Sequence, residues 1–258
     1  MFSKRQEAIL RYLSENRFSR IEWMAELFHV SAETIRRDLM ELERDSSIKR
    51  VRGGAVYSSL RAQEMEYEKR METSQPEKRA IARLACDYIQ EGDAIVMNNG
   101  TSNLALAGLL RESSKSLTIV TNSPQIAIVL NENKNHSVYL TAGYLRKHNK
   151  SLVGSICGEC LNYFKVDKAI VNIDGISIED GVTEYNTEEA AVIRKMLKIG
   201  RTRMVLCESG KFNEVAFNRI CALEEIDYVF TDWNLSSREL KAWKELSVKI
   251  LVARQAVE

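Results

Sequence analysis

Along the first 45 residues, apolar positions recur at helical spacing in three short runs: Ile9, Leu10 and Leu13; Met24, Leu27 and Phe28; and Ile35, Leu39 and Leu42. A serine opens each run. Ser3 with Gln6, and Ser19 with Glu22, fit the reciprocal capping box, and Ser31 precedes "AETIRRDLMELERD". Three amphipathic helices of this length can share one small core. Only His29 and Val30 separate the second run from Ser31. That is too little chain for antiparallel packing and enough for the angled turn of a helix-turn-helix, over about residues 20–39. Beyond it, "SSIKRVRGGAVY" alternates through Ile48 to Val56 around Gly53 and Gly54, which predicts a β-ribbon, or wing, closing a first domain of residues 1–57.

Residues 58–76 turn polar, with charges on both sides of a few apolar positions, and are expected to form a partly helical linker. From residue 77 to 258 the pattern changes again. Short β-branched runs, "AIVMN", "LTIVTN", "SVYLTA", "KAIVNI", "RMVLC", "IDYVFTD" and "VKILV", alternate with helix-length segments. Buried strands separated by helices imply a mostly parallel, doubly wound α/β sheet covered on both faces. The fold class expected is therefore α/β, with an N-terminal winged helix-turn-helix in front of it.

Composition narrows the partners. Of 258 residues, 45% are hydrophobic, and 37 Lys and Arg nearly balance 36 Asp and Glu for a net charge of +1. Any nucleic-acid contact must then come from a few placed arginines rather than from a global positive field. The five cysteines are an odd number, scattered, with no apolar signal segment behind "MFSKRQEAIL", so reduced cytoplasmic thiols are expected. No apolar run approaches the roughly 18 to 20 residues of a membrane span, so no membrane partner is expected.

On the third helical run, Ile35, Leu39 and Leu42 share one face, and at about 100° per residue Arg37 lies nearly opposite Ile35, flanked by Thr34 and Arg36. A short polar residue and two guanidiniums suit the major groove, where Arg bridges guanine O6 and N7 and Ser31 or Thr34 at the helix start bonds phosphate or base. Lys49, Arg50 and Arg52 would bring positive charge to the wing for phosphate or the minor groove. A salt-bridged surface helix is the bland alternative for "RRDLMELERD", and a winged helix that binds only protein is another. The combination of capped helices, tight turn and basic ribbon favours double-stranded DNA.

The stretch "FHVSAETIRRDLMELERDSSIKRVRGGAV" resembles the DNA-binding signature of the DeoR family of bacterial transcriptional regulators. Further matches extend along the chain: "TNS" at Thr121–Ser123, "VDKA" at Val166–Ala169, "DGI" at Asp174–Ile176, "GVTEYNTEEA" from Gly181 and "SGKF" at Ser209–Phe212 are similar to the family's C-terminal sensor domain. The resemblance implies a sensor similar to ribose-5-phosphate isomerase that binds a phosphorylated sugar and thereby controls DNA affinity. It also implies a regulator, most simply a repressor of a carbohydrate operon. A single small head offers few base contacts, so a homo-oligomer formed through the second domain is expected.

Ligands of open α/β sheets lie beyond the carboxyl ends of strands. Asn98, Gly100, Thr101, Ser102, Asn122, Ser123, Gly143, Asp174 and Lys211 all follow strand-like runs and are the expected effector-binding residues. Gly100 would let backbone N–H groups approach an anion, Thr101 and Ser102 would donate hydroxyls at a helix start, and Lys211 would add a full charge. The chain departs from the family pattern in three places: Asn98 stands for an aspartate, Ala142 for a glycine, and "ESGK" puts Glu208 and Gly210 in Asp and Ser positions. Another phosphorylated or acidic metabolite is therefore a live alternative. An isomerase with a DNA-binding appendage is the other function considered; Asp174, Glu184 and Glu208 are candidate carboxylates. Asparagines precede the Gly-Thr loop, however, and His29, His136 and His148 fall in no constellation, so no catalytic residue is expected. "CGEC" at Cys157–Cys160 has no second ligand pair at zinc spacing; neither metal nor cofactor is expected.

Overall fold

The computed structural model describes residues 3–16, 18–44, 48–51, 53–57, 67–244 and 246–255. The chain divides into two compact units, Met1–Glu64 and Met65–Glu258.

In the first unit, α1 (Lys4–Asn16), β1 (Phe18–Arg20), α2 (Ile21–Leu27), α3 (Ala32–Arg44), β2 (Ile48–Val51) and β3 (Gly54–Tyr57) surround one core of Ile9, Leu13, Met24, Ile35, Leu39, Leu42, Ile48 and Ala55. The Ser3–Gln6 capping box forms in both directions, at 2.9 and 3.2 Å, and Ser31 caps α3 by accepting from the Thr34 N–H at 3.1 Å. Ser19 behaves differently from expectation. It lies in β1, paired with Ala55 of β3, and α2 starts from Arg20 with no side-chain cap. The wing does the capping instead, since the Gly53 carbonyl accepts the Ile21 N–H at 3.1 Å. The wing is thus a three-stranded sheet in the order β1-β3-β2. Leu27, on the last turn of the seven-residue α2, is exposed rather than in the core.

The second unit opens with α4 (Tyr67–Glu72), inside the range expected as linker, followed by α5 (Gln75–Cys86). Then come β4 (Ala94–Met97), α6 (Thr101–Arg111), β5 (Thr118–Thr121), α7 (Pro124–Asn131), β6 (Ser137–Leu140), the β7–β8 pair (Tyr144–Leu145 and Leu152–Val153) and α8 (Ser155–Leu161). The remainder is β9 (Val166–Asn172), β10 (Gly175–Ser177), β11 (Gly181–Glu184), α9 (Thr187–Ile199), β12 (Gly200–Leu206), β13 (Asn218–Cys221), β14 (Tyr228–Thr231), α10 (Ser237–Lys244) and β15 (Lys249–Val252).

Among the described residues, seven strands form one sheet in the order β15-β14-β12-β9-β4-β5-β6, and every neighbouring pair is parallel. Successive side chains of a strand point to opposite faces. Ile95, Met97, Ile170 and Leu206 therefore meet Ile81, Leu106 and Leu110 of α5 and α6, while Val96, Val171 and Val205 meet Leu161, Ile193 and Met196 of α8 and α9. Each large side chain fully buried this way contributes about 1.5–3 kcal/mol. A small antiparallel sheet, β10-β11-β13, stands apart. The chain winds from β4 toward β6 on one side, then resumes at β9 on the other side of β4. That reversal opens a crevice at the carboxyl ends of β4 and β9.

Candidate functional site

On α3 of the first unit, burying Ile35, Leu39 and Leu42 turns Arg36 and Arg37 to solvent. Asp38 is buried and accepts from Arg5 at 2.6 Å, which pins α1 to α3. Arg36 pairs with Glu33 at 3.2 Å, an exposed bond that is easily exchanged. Arg37 has no ion pair among the described residues. Ser31 and Thr34 share a hydroxyl hydrogen bond of 2.8 Å at the helix start. Glu43 accepts both the Arg50 Nε, at 2.6 Å, and the Arg50 backbone N–H, at 2.8 Å, fastening the wing to the end of α3. Lys49 lies on β2 opposite Val56, and Arg52 lies outside the described residues.

In the second unit the switch-point crevice is a polar cleft lined by Arg70, Asn98, Asn99, Gly100, Thr101, Asn149, Asn172, Asp174, Glu184, Glu189 and Lys211, with Ile173. Five residues expected from the sequence meet there: Asn98, Gly100, Thr101, Asp174 and Lys211. The cleft is nearly filled by its own side chains, leaving about 10 Å³. Gly100, as the N-cap residue of α6, brings no side-chain cap, and of the first N–H groups that of Asn103 is taken by Asn172 while those of Thr101 and Ser102 have no side-chain acceptor among the described residues. Gly100 is required by packing: a Cβ there would stand 2.1 Å from Asn172 Oδ1. Asn172 in turn accepts the Asn103 N–H at 2.9 Å and donates to the Leu206 carbonyl at 3.0 Å, tying α6 to β9 and β12.

Charge in the cleft is mixed. The Lys211 ammonium donates to the Ile173 carbonyl at 2.6 Å. Arg70, on α4, donates to Asn149 Oδ1 at 2.6 Å and lies 3.6 Å from Asp174. Lys78 is buried and donates to the Arg70 and Thr73 carbonyls, which locks the end of α4 onto α5; burial lowers its pKa, against the pull of Glu208. Burial and the adjacent Asp174 push the Glu184 carboxyl well above its ordinary value. Burial would raise Asp174 as well, but the hydrogen bond from Glu184 and the charges of Lys211 and Arg70 hold it below the usual range. Of the pair, Glu184 is the one that keeps its proton to the higher pH. Glu189 Oε1 accepts from Arg146 and Asn149, each at 3.1 Å, and from Ser151.

Four expected residues stand behind the cleft rather than in it. Ser102 is fully buried and donates to Glu208 at 3.4 Å. Asn122 accepts the Asn99 N–H at 2.8 Å and donates to the Leu152 carbonyl, while Ser123 caps α7 and donates to Asn99 Oδ1 at 2.7 Å. Gly143, at φ 140°, lets its backbone pass Val153, whose carbonyl a Cβ would approach to 2.7 Å. These positions brace Asn99 and the neighbouring loops because short polar residues at strand ends are also what turns and caps require. Asn98 lines the cleft, yet its carboxamide is spent on the scaffold: it donates to the Asn172 carbonyl at 2.9 Å and accepts the Asn172 N–H at 2.7 Å. Sequence reasoning missed Asn99, Asn149, Asn172 and Arg70. The second asparagine of "MNNG" was the visible signal for Asn99; Arg70 sat in a stretch read as linker.

Cys157 of "CGEC" is buried beside Thr141, and burial pushes its thiol up. His136 is buried and bonds the Leu110 carbonyl at 2.9 Å. Among the described residues no helix is long and apolar enough to cross a membrane, and no cluster of His, Cys, Asp or Glu could hold a metal ion.

A winged helix-turn-helix with an arginine-bearing helix face, followed by a parallel α/β unit with a polar switch-point cleft, defines the class: a DNA-binding transcriptional regulator with a small-molecule sensor. Family models for the DeoR-like helix-turn-helix domain and the DeoR C terminal sensor domain match residues 5–61 and 73–233. The chain belongs to the DeoR family. Its relatives are named as regulators and not as enzymes. The HTH-type transcriptional repressor GlcR of Bacillus subtilis (strain 168) is 34% identical, over 89% of this chain and 88% of its own length. The HTH-type transcriptional regulator GlpR of Haloferax volcanii is 32% identical over 91% of each. Among solved structures, ribose 5 phosphate isomerase A from Neisseria gonorrhoeae matches 54% of this chain and 55% of its own at 15% identity and a TM-score of 0.41.

Proposed function

We propose that this regulator represses a carbohydrate-metabolism operon and that a phosphorylated sugar bound in the switch-point cleft relieves the repression. One observation carries the reading. The N-terminus of α6, where Thr101 and Ser102 keep N–H groups without a side-chain acceptor, opens onto a cleft that also holds Lys211, Arg70, two buried acidic side chains and several carboxamides. The helix terminus and the two cations suit a phosphate. Asp174, the Glu184 carboxyl and the asparagines suit a polyol, because carboxylates, carboxyls and carboxamides exchange hydrogen bonds with hydroxyls. Since the cleft holds about one water, the phosphate enters as Arg70 and Lys211 exchange Asn149, Asp174 and the Ile173 carbonyl for ligand oxygens. In the first unit, Arg37 and Arg36 with Thr34 and Ser31 read the operator, and Lys49, Arg50 and Arg52 meet phosphates. A homo-oligomer presents more than one such head, as the few base contacts of a single one require.

A thermal-shift screen of phosphorylated sugars tests the sensor, because a ligand of the native state raises the melting point. A stabilising sugar phosphate is expected, its shift lost in Thr101→Ala and in Lys211→Ala. A shift untouched by both substitutions places the ligand elsewhere, and a hit confined to unphosphorylated acids rejects the sugar phosphate.

A further inference from the structure

β6 is one edge of the seven-stranded sheet. Its bonds to β5 run through alternate residues: the Ser137 and Thr141 N–H groups donate to the Leu117 and Thr121 carbonyls at 2.8 and 2.9 Å. By that alternation the N–H and C=O groups of Val138 and Leu140 point out of the sheet. Natural edges are blunted by lysine, proline or a bulge. From Ser137 to Leu145 the chain reads "SVYLTAGYL", with neither charge nor proline, whereas the opposite edge, β15, starts on the exposed Lys249.

The surroundings of this edge are apolar as well. Tyr139 and Leu140, on opposite faces of the strand, are 49% and 46% exposed. The Tyr139 ring packs on Phe164 at 5.6 Å, just beyond α8. Ile156 of α8 and Tyr163, in the turn after that helix, are 61% and 87% exposed, and Tyr144 and Leu145 of β7 are more than half exposed. At about 150–250 Å² for a whole aromatic side chain, the exposed parts of the three tyrosines come to roughly 300–500 Å², and Leu140, Leu145 and Ile156 add to it. The largest apolar patch on a typical monomer is about 300–600 Å² and is often functional, and a standard interface buries about 800 Å² on each partner.

We infer that a second copy of this chain covers this surface, paired antiparallel along β6 about a two-fold axis at Tyr139. The strand suits itself. In that register Val138 faces the partner's Leu140, so the outward-pointing backbone groups meet and exchange both hydrogen bonds, and no like charges are opposed. Tyr139 then faces the partner's Tyr139 in the close, non-hydrogen-bonded pair, with Cα atoms about 4.5 Å apart. This inference rests on the oligomer put forward above and names its surface.

Analytical ultracentrifugation of the full chain at micromolar concentration should give an oligomer, and Leu140→Lys should reduce its mass by half while keeping its melting point within a few degrees. Under mild oxidation, Tyr139→Cys should form a disulfide-linked pair on a non-reducing gel, because 4.5 Å lies within the Cα separation a disulfide spans; the native chain and Ile178→Cys should not. A monomeric native chain overturns both the oligomer and this surface. An oligomer indifferent to Leu140→Lys that gives no Tyr139→Cys cross-link overturns the surface alone, and the cross-link still decides if Leu140→Lys fails to fold.

Discussion

Glu184 and Asp174 adjoin in the cleft, both buried, and their proton affinities move in opposite directions. Glu184 holds its proton to a higher pH in the folded chain than in the unfolded one. Its contribution to stability is therefore complete below the ordinary glutamate value of about 4.3 and is lost as pH rises through the raised one. Asp174 works the other way, losing its contribution only as pH falls below about 3.9. Above both ordinary values the Glu184 effect remains. Glu184→Gln keeps the shape and a donor but removes the titration, so melting temperatures of native and variant chains should diverge as pH rises from about 5 to 8, with the variant the more stable. A difference independent of pH would mean that Glu184 does not hold the proton. Both carboxylates were visible in "DGI" and "GVTEYN", yet their sharing of a proton was not, because sequence shows a group without its neighbours. Asn98 teaches the same lesson: an asparagine two residues before Gly100 suggests ligand choice, and the structure commits it at both ends to Asn172.

Elements inherit their positions from such commitments. α6 begins where it does because Gly100 leaves room for Asn172, whose carboxamide joins the helix to β9 and β12. Gly100→Ala overpacks that junction and should cost about 1–3 kcal/mol, with loss of the effector-induced thermal shift. Gly108 lies on the same helix, where an added Cβ meets nothing within 4 Å. Gly108→Ala should be stabilising by about 0.4–1 kcal/mol. Denaturant melts of the two alanine variants check the contrast; equal effects would show that Asn172 yields to the methyl group. Most elements were legible from periodicity, since 3.6- and 2-residue patterns record which face is buried. β1 was not, because Phe18–Arg20 is a strand only through its pairing with β3, a partner some 35 residues away. α4 falls in a stretch expected only as a partly helical linker, and its place in the fold was not legible, because the half-buried Arg70 and the Lys78 of α5 hold it through polar bonds that leave no apolar stripe to read.

At the scale of the whole molecule, reading DNA and sensing a metabolite belong to separate units, each with its own core. One substitution should therefore divide them. Arg37 is exposed, carries no ion pair among the described residues, and projects from the face opposite Ile35. Removing it takes nothing from the first unit's core, and surface changes of this kind stay within about 0.5 kcal/mol in stability. A bidentate arginine–guanine contact, by contrast, is worth about 1–3 kcal/mol of discrimination. Arg37→Ala should lose specific operator binding by that amount while residual DNA binding still weakens steeply with salt, as phosphate contacts elsewhere require. Its thermal shift with effector should match the native chain's. Binding titrations at two salt concentrations against operator and scrambled duplex, run beside the thermal shift, separate the possibilities. Unchanged sequence preference would remove α3 from the major groove, and a lost effector shift would show that the two units do not act as separate bodies.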